Sequence, residues 1–302
     1  MKSSRALLSE IRPKFGQTDF SSRVAPFNVA YGPVGRSAVS GITATVFGSY
    51  GFVGRYIMSE LGACGSRVYA PFRGCELEPR HLKPMFDLGN LGLMPFSPKH
   101  VDSIRDSLKN SDIVINLIGK HYETKHIVPT RREDGKLSRI NFTFDDVHAN
   151  IPHTIAKIAK EAGVKAFIHM SALSADLESE SRWSQSKAKG EIAVREVFPE
   201  AVIVRPAKVF GHEDRFLNAY AYWGRRLGYF PVIDDGSALV QPVYAADVGK
   251  ALMTIIRVSY NNNHILYSMS SIRMYTSLRG RLSSWLVLMS TPTRRWRSLY
   301  EI

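Results

Sequence analysis

Cysteine is nearly absent: Cys64 and Cys75 are the only two in 302 residues. Two thiols without a C-x-x-C spacing exclude a disulfide framework and give no zinc-binding pattern. Long apolar runs are missing too. A membrane-spanning helix needs about 18 or more consecutive apolar residues, whereas the best patch, Trp285–Met289, is far shorter. Acid is scarce at both ends. Residues 1–40 carry Lys2, Arg5, Arg12, Lys14, Arg23 and Arg36 against Glu10 and Asp19, and residues 268–302 carry six Arg against Glu301 alone. The formal net charge is +13, of which residues 41–267 account for only +4. A nucleic-acid binder wants its basic face on the folded body, so this distribution argues against one.

The N-terminus also lacks the apolar core of a secretory signal. Lys2, Arg5, Arg12 and Lys14 interleave with Leu7, Leu8 and Ile11. That pattern suits an organelle transit peptide over residues 1–40; a plain basic arm is the alternative.

What is present points to a folded α/β chain. Hydrophobic residues make up 44% and charged residues 22%, enough for a packed core and too little charge for a wholly disordered chain. At about 150 residues per domain, the length implies two domains or one large α/β domain with additions. Order begins with a β-branched strand at Ile42–Phe47, followed by a helix over Phe52–Leu61 and a second strand at Arg67–Phe72. A weaker strand is expected at Leu93–Phe96, then a helix capped by Ser97-Pro98 and a fourth strand at Asp112–Ile118. Helices over Asp145–Ala162 and Trp183–Val197 alternate with strands at Ala166–Met170 and Ala201–Arg205. Such alternation predicts a doubly wound parallel sheet with helices on both faces. Arg131–Arg139, charged around Gly135, reads as a polar insertion in a long loop. Residues 41–211 form the expected nucleotide-binding domain and 212–267 a smaller C-terminal part. There Tyr220, Tyr222, Trp223 and Tyr229 either pack over the cleft or form a partner surface.

Gly48-Ser49-Tyr50-Gly51-Phe52-Val53-Gly54 lies directly between the first strand and first helix. Gly48 permits a tight exit from the strand, Gly51 lets backbone N–H groups reach a pyrophosphate, and Gly54 lets the helix pack close to the sheet. The second strand ends in Phe72-Arg73-Gly74, where an acid would serve the ribose of NAD. An Arg there can grip a 2′-phosphate, so the pattern prefers NADP(H). Arg55 is a second phosphate candidate or a surface arginine. Asn116-Leu117-Ile118-Gly119 ends the fourth strand, where Leu117 and Ile118 would line the cofactor. His148 and His153 are five apart, about 140° around a helix, so they do not make a metal pair. His121 and His126 read as solvated loop residues, and no metal site is expected.

These strings resemble the extended and atypical short-chain dehydrogenase/reductase superfamily, on a Rossmann-type fold. More narrowly, they are similar to a family of accessory subunits of mitochondrial respiratory complex I. The narrower likeness rests on Val114–Gly119, Ala159–Val164, Phe167-Ile168-His169-Met170-Ser171, Lys187-Ala188-Lys189-Gly190-Glu191, Phe210–Asn218 and Gln241-Pro242-Val243-Tyr244. The superfamily's hydride chemistry uses Tyr-x-x-x-Lys with a Ser ending the preceding strand. This chain supplies Ser171 and Lys187, but Trp183 stands four residues before Lys187, and no tyrosine lies within 35 residues upstream. An indole N–H only donates and cannot act as an acid/base. Lys187 is therefore read as a ribose anchor, with a solvent-exposed lysine as the alternative. Ser171 and Pro206 are read as contacts on the nicotinamide side or as ordinary strand ends.

The family resemblance implies a non-catalytic subunit that holds NADPH at the matrix side of the inner mitochondrial membrane. It would contact other complex I subunits, with no spanning helix and no nucleic acid. An active NADP-dependent reductase or epimerase, and an NADPH-sensing regulator, are the alternatives. From about Ser268 the sequence departs from the family, leaving a shortened chain or a genuine basic tail as the two readings.

Overall fold

The computed structural model describes residues 39–131, 137–229, 239–261, 271–274 and 280–281. The N-terminal arm through residue 38, the centre of the polar insertion and most of the 268–302 tail lie outside the described residues. In chain order the first half comprises β1 (Thr43–Phe47), α1 (Phe52–Ala63), β2 (Arg67–Phe72), a 3-10 segment (Glu78–Met85), β3 (Leu91–Pro95), α2 (Val101–Leu108) and β4 (Ile113–Asn116). A hairpin of β5 (Thr124–Arg131) and β6 (Leu137–Phe142) follows, then a π-turn (Asp146–Asn150) that runs into α3 (Ile151–Glu161). Next come β7 (Ala166–Met170), α4 (Arg182–Val197), β8 (Val202–Pro206), β9 (Val209–Phe210) and α5 (Leu217–Leu227). The chain continues through β10 (Leu239–Val240), β11 (Val243–Tyr244), α6 (Ala245–Asn261), β12 (Ser271–Met274) and β13 (Gly280–Arg281).

The main sheet has the order β3-β2-β1-β4-β7-β8-β12, and every pair in it is parallel. Strand alternation divides its side chains between two cores. Ala44, Val46, Ile113, Ile115, Ile168, Met170, Val202 and Val204 face α1 and α6, where Ile57, Leu61, Leu252 and Ile256 are fully buried. Phe47, Val114, Phe167 and Ile203 face α2, α3 and α4 and meet Ile104, Ile155 and Val194. Each fully buried aliphatic contributes about 1.5–3 kcal/mol, so these layers fix where the strand ends lie. The period of two also puts Asn116, His169 and Arg205 on the second face, beside Val114, Phe167 and Ile203 respectively.

Three local differences from the sequence reading have physical causes. The second helix begins at Val101, because Ser97-Pro98 forms a turn closed by His100 N–H donating to the Ser97 carbonyl at 3.1 Å. Ser103 stabilises that turn from within the helix, its hydroxyl donating to the His100 and Ser97 carbonyls at 2.7 and 3.0 Å. The polar insertion is flanked by antiparallel strands, with an irregularity between Val128 and Arg131. Within the segment read as a tail, Ser271–Met274 adds a parallel edge strand beside β8. No helix among the described residues is long and apolar enough to cross a membrane.

Candidate functional site

The sheet order reverses between β1 and β4, the place where open α/β sheets bind ligands beyond the carboxyl ends of their strands. Gly48 leaves β1 at φ +80°, a conformation that side chains disfavour. A Cβ there would also lie 3.2 Å from the Leu117 carbonyl carbon. Gly51 N–H donates to the Gly48 carbonyl at 3.2 Å and closes the turn. At Gly54 the need is strictest: a Cβ would stand 2.4 Å from the Ser49 carbonyl oxygen and 2.5 Å from that of Gly48. Helix α1 starts with no side-chain cap and no acid in its first turn. Its first N–H groups and the positive end of its dipole are thus left for an anion. The Ser49 hydroxyl is buried in the turn without a hydrogen-bond partner.

Around the rim, the Tyr50 hydroxyl donates to the Arg73 carbonyl at 3.4 Å. Arg55 donates from Nε to the Tyr50 carbonyl at 3.3 Å, and its guanidinium pairs with Glu213. Glu213 is presented by a turn that the buried Asp214 organises, accepting from Gly211 N–H at 2.9 Å and Asn218 N–H at 3.0 Å. Of the two phosphate candidates, Arg55 is therefore engaged by a carboxylate. Exposed Arg73 lies with its guanidinium carbon 5.5 Å from the Phe142 ring centre. Phe52 meets Tyr56 edge-on at 5.8 Å, and Val53 packs on the core.

Deeper in, Asn116 bends the chain after β4. Its Oδ1 accepts from Ile118 N–H and its Nδ2 donates to His169 Nδ1, both at 3.1 Å. Leu117 and Ile118 are half-buried in that bend. Ser171 follows β7, buried, its hydroxyl without a partner. Pro206 ends β8, and its carbonyl accepts from Leu173 N–H at 2.8 Å. Lys187 is 6% exposed, which overturns the solvent-exposed reading. Its Nζ donates to the Met170 carbonyl at 3.4 Å and would lie 3.1 Å from a Cβ at Gly119. Burial lowers its pKa to about 8, against the opposing charge of Glu191. Arg205 holds Glu191 in a two-point fork, at 2.9 Å from Nε and 2.5 Å from Nη2. Burial first, and the Lys187 charge second, push His148 and His169 down to about 3, so both are neutral.

Trp183 lies one helical turn before Lys187 on α4. Its indole N–H donates to the Lys120 carbonyl at 2.8 Å, and its ring stacks on His121 at 5.3 Å between centres. His121 is thus exposed yet not simply solvated; the His126 side chain lies outside the described residues. His148 belongs to the π-turn, where Nε2 accepts from Lys120 N–H at 3.1 Å and Nδ1 meets Ser186 Oγ at 2.8 Å. Helix α4 crosses the π-turn in backbone contact, for a Cβ at Gly190 would stand 2.0 Å from the His148 carbonyl oxygen. Tyr222, Trp223 and Tyr229 are exposed, and Tyr222 meets Trp223 edge-on at 5.5 Å. Among the described residues no group of three His, Cys, Asp or Glu could hold a metal ion.

The sequence reading missed His148, His169 and the Glu191–Arg205 fork. Strand alternation in Ala166–Met170 already places His169 beside Phe167 on a core face, and that signal could have found it. The others depend on which helix lies over which strand end.

No protein-family model matches the chain. Curated relatives do. The chain is 46% identical over 226 residues to mouse (Mus musculus) NADH dehydrogenase (ubiquinone) 1 alpha subcomplex subunit 9, mitochondrial, covering 74% of this chain and 56% of that protein. The Arabidopsis thaliana protein of the same name is 39% identical over 263 residues, 85% of this chain and 62% of that one. The chain spans little more than half the length of these relatives. Among solved structures, a dTDP-glucose 4,6-dehydratase from Streptomyces venezuelae with NAD bound superposes with a TM-score of 0.62 at 15% identity, covering 82% of this chain and 79% of that one. At that identity the likeness shows the Rossmann fold alone. The alignments to the curated relatives are of another order: over most of its length the chain is similar to complex I alpha subcomplex subunit 9 proteins.

Proposed function

We propose that the chain is a non-catalytic accessory subunit of mitochondrial complex I that holds NADPH. It would sit among other subunits on the matrix side of the inner membrane. One observation carries the non-catalytic reading: Trp183, four residues before the buried Lys187, commits its only side-chain N–H to the Lys120 carbonyl.

The cleft fits a nicotinamide dinucleotide, since it combines a glycine turn that a Cβ would fill with two buried hydroxyls that have no partner. The N–H groups of Ser49–Gly54 would take the pyrophosphate, and Arg73 the 2′-phosphate that separates NADPH from NADH. Lys187 would hold the ribose hydroxyls, with Leu117, Ile118, Ser171 and Pro206 lining the remainder. Such a dinucleotide supplies hydride transfer, which also needs a proton donor beside the reacting carbonyl. Nothing at residue 183 can give or take that proton, so the ligand's value here is stability. A ligand present at 100 times its dissociation constant and bound only by the folded chain adds about 2.7 kcal/mol. The mitochondrial complex I names of the curated relatives support the partners and the compartment.

Native mass spectrometry of the purified full chain, with the released nucleotide identified, tests the reading. One NADPH per chain and no oxidation of it by a panel of carbonyl compounds is expected. Hydride transfer to any of them, or NADH in place of NADPH, overturns it.

A further inference from the structure

We infer that Trp183 and His148 together clamp the backbone of Lys120 by its N–H and its carbonyl, holding in place the cleft wall of residues 117–120 and thereby setting how slowly a bound dinucleotide leaves. This rests on the dinucleotide reading above and adds positioning residues to it.

The clamp grips both polar atoms of one residue's backbone. Lys120 N–H donates to His148 Nε2 at 3.1 Å, and its carbonyl accepts from the Trp183 indole at 2.8 Å. Hydrogen positions around it are settled by counting donors. Because Nε2 accepts, the proton of neutral His148 sits on Nδ1 and is donated to Ser186 Oγ at 2.8 Å. The Ser186 hydroxyl in turn donates to the Trp183 carbonyl at 2.7 Å. The bonds form a closed circuit, from Lys120 through His148 and Ser186 to Trp183 and back to Lys120. Hydrogen bonds linked in this way polarise and strengthen one another.

Packing fixes the circuit's anchors. His148 and Ser186 are each 1% exposed. The His148 ring lies parallel to Phe144 at 5.8 Å and edge-on to Trp183 at 6.1 Å. The contact of Gly190 with the His148 carbonyl joins α4 to the π-turn without space for a methyl group. The gripped segment is also a wall of the cleft. Leu117 touches Gly48 of the glycine turn, and Gly119 lies against the Lys187 ammonium. Freeing Lys120 would loosen the wall that connects the phosphate end to the ribose end. The Trp183 indole N–H is turned to the protein itself, at the Lys120 carbonyl.

The test uses the full chain loaded with NADPH, following its fluorescence as excess NADP+ chases it off. Trp183→Phe keeps an aromatic ring against His121 and removes the donor; release should quicken about tenfold, the value of one buried hydrogen bond. His148→Leu should do the same, whereas His148→Gln, which keeps an acceptor for Lys120 N–H, should release nearly as slowly as the natural chain. Melting of the nucleotide-free proteins separates positioning from stability: an Ile155→Val control lowers the melting temperature without changing release. If Trp183→Phe does not fold, the Leu and Gln variants at 148 decide alone. Release at the natural rate from Trp183→Phe and His148→Leu overturns the clamp and leaves the dinucleotide reading standing. Should the natural chain take up no NADPH, that reading falls and the clamp with it.

Discussion

The two ends of the cleft are built from different material. At the end proposed for the phosphates the site is made of backbone: a positive-φ Gly48, the uncapped start of α1, and a Gly54 pressed against two carbonyl oxygens. At the end proposed for the ribose it is made of side chains, with Lys187, Glu191, Arg205, His148 and His169 gathered in one largely buried cluster. A backbone site is nearly indifferent to neighbouring side chains and intolerant of a single added carbon. A side-chain site can lose its chemistry through one substitution while keeping its shape. On the proposed reading Trp183 is such a substitution: Lys187 and Ser171 keep the positions proposed for the ribose and nicotinamide, while no group at 183 can donate a proton.

The contrast predicts unequal responses to mutation. The largest should come from Gly54→Val, whose branched side chain has no room between the Ser49 and Gly48 carbonyls. We expect a destabilisation of about 2–4 kcal/mol in urea unfolding and no retained nucleotide. Lys187→Met should split the two properties. Nucleotide retention should vanish, while the nucleotide-free chain gains about 1–3 kcal/mol by replacing a buried ammonium with an apolar chain of similar length. The folded pKa of Lys187, about 8, lies below its ordinary 10.5, so the native chain deprotonates first as pH rises. Stability of the natural chain should therefore climb between pH 8 and 10.5 by more than that of the Met variant.

Arg73→Glu should weaken NADPH binding at least tenfold relative to NADH, read by titration of each cofactor. An unchanged preference would remove Arg73 from the 2′-phosphate. The remaining effect lies on the acid side and is absent at neutral pH. His169 is neutral in the fold, with a pKa near 3 against 6.5 ordinarily, so the unfolded chain binds the proton first as pH falls. Its contribution is whole above pH 6.5 and drains away toward pH 3, at up to about 1.4 kcal/mol per unit. His169→Gln, which can still meet Asn116, should flatten that part of the stability profile.

The same division explains what could be read from the sequence. Strand and helix alternation, the glycine turn and the missing tyrosine are local patterns, visible along the chain within a few residues. The strands around the polar insertion were not foreseen, because the charged residues near Gly135 hide the pairing of β5 with β6. His148 looked like half of a rejected metal pair with His153. Its true partners, Lys120 and Ser186, are 28 and 38 residues away, and only the crossing of α4 over the π-turn brings them together. Gly190, a glycine inside a helix, did carry a signal, since that position costs about 1 kcal/mol unless close packing requires it.

The π-turn has a consequence for how the chain can change. A helix widened by one residue shifts the phase of everything after it by about 100°. His148, facing α4, and the Ile155, Ile158 and Ala159 stripe, facing the sheet, thus belong to two different phases of one continuous winding. Closing the turn to regular α-helical winding with all five residues kept would bring them into one phase, because His148 and Ile155 stand seven residues, about 700°, apart. The chain would then have to give up either the core stripe or the histidine, so the five-residue turn is what lets one winding serve both.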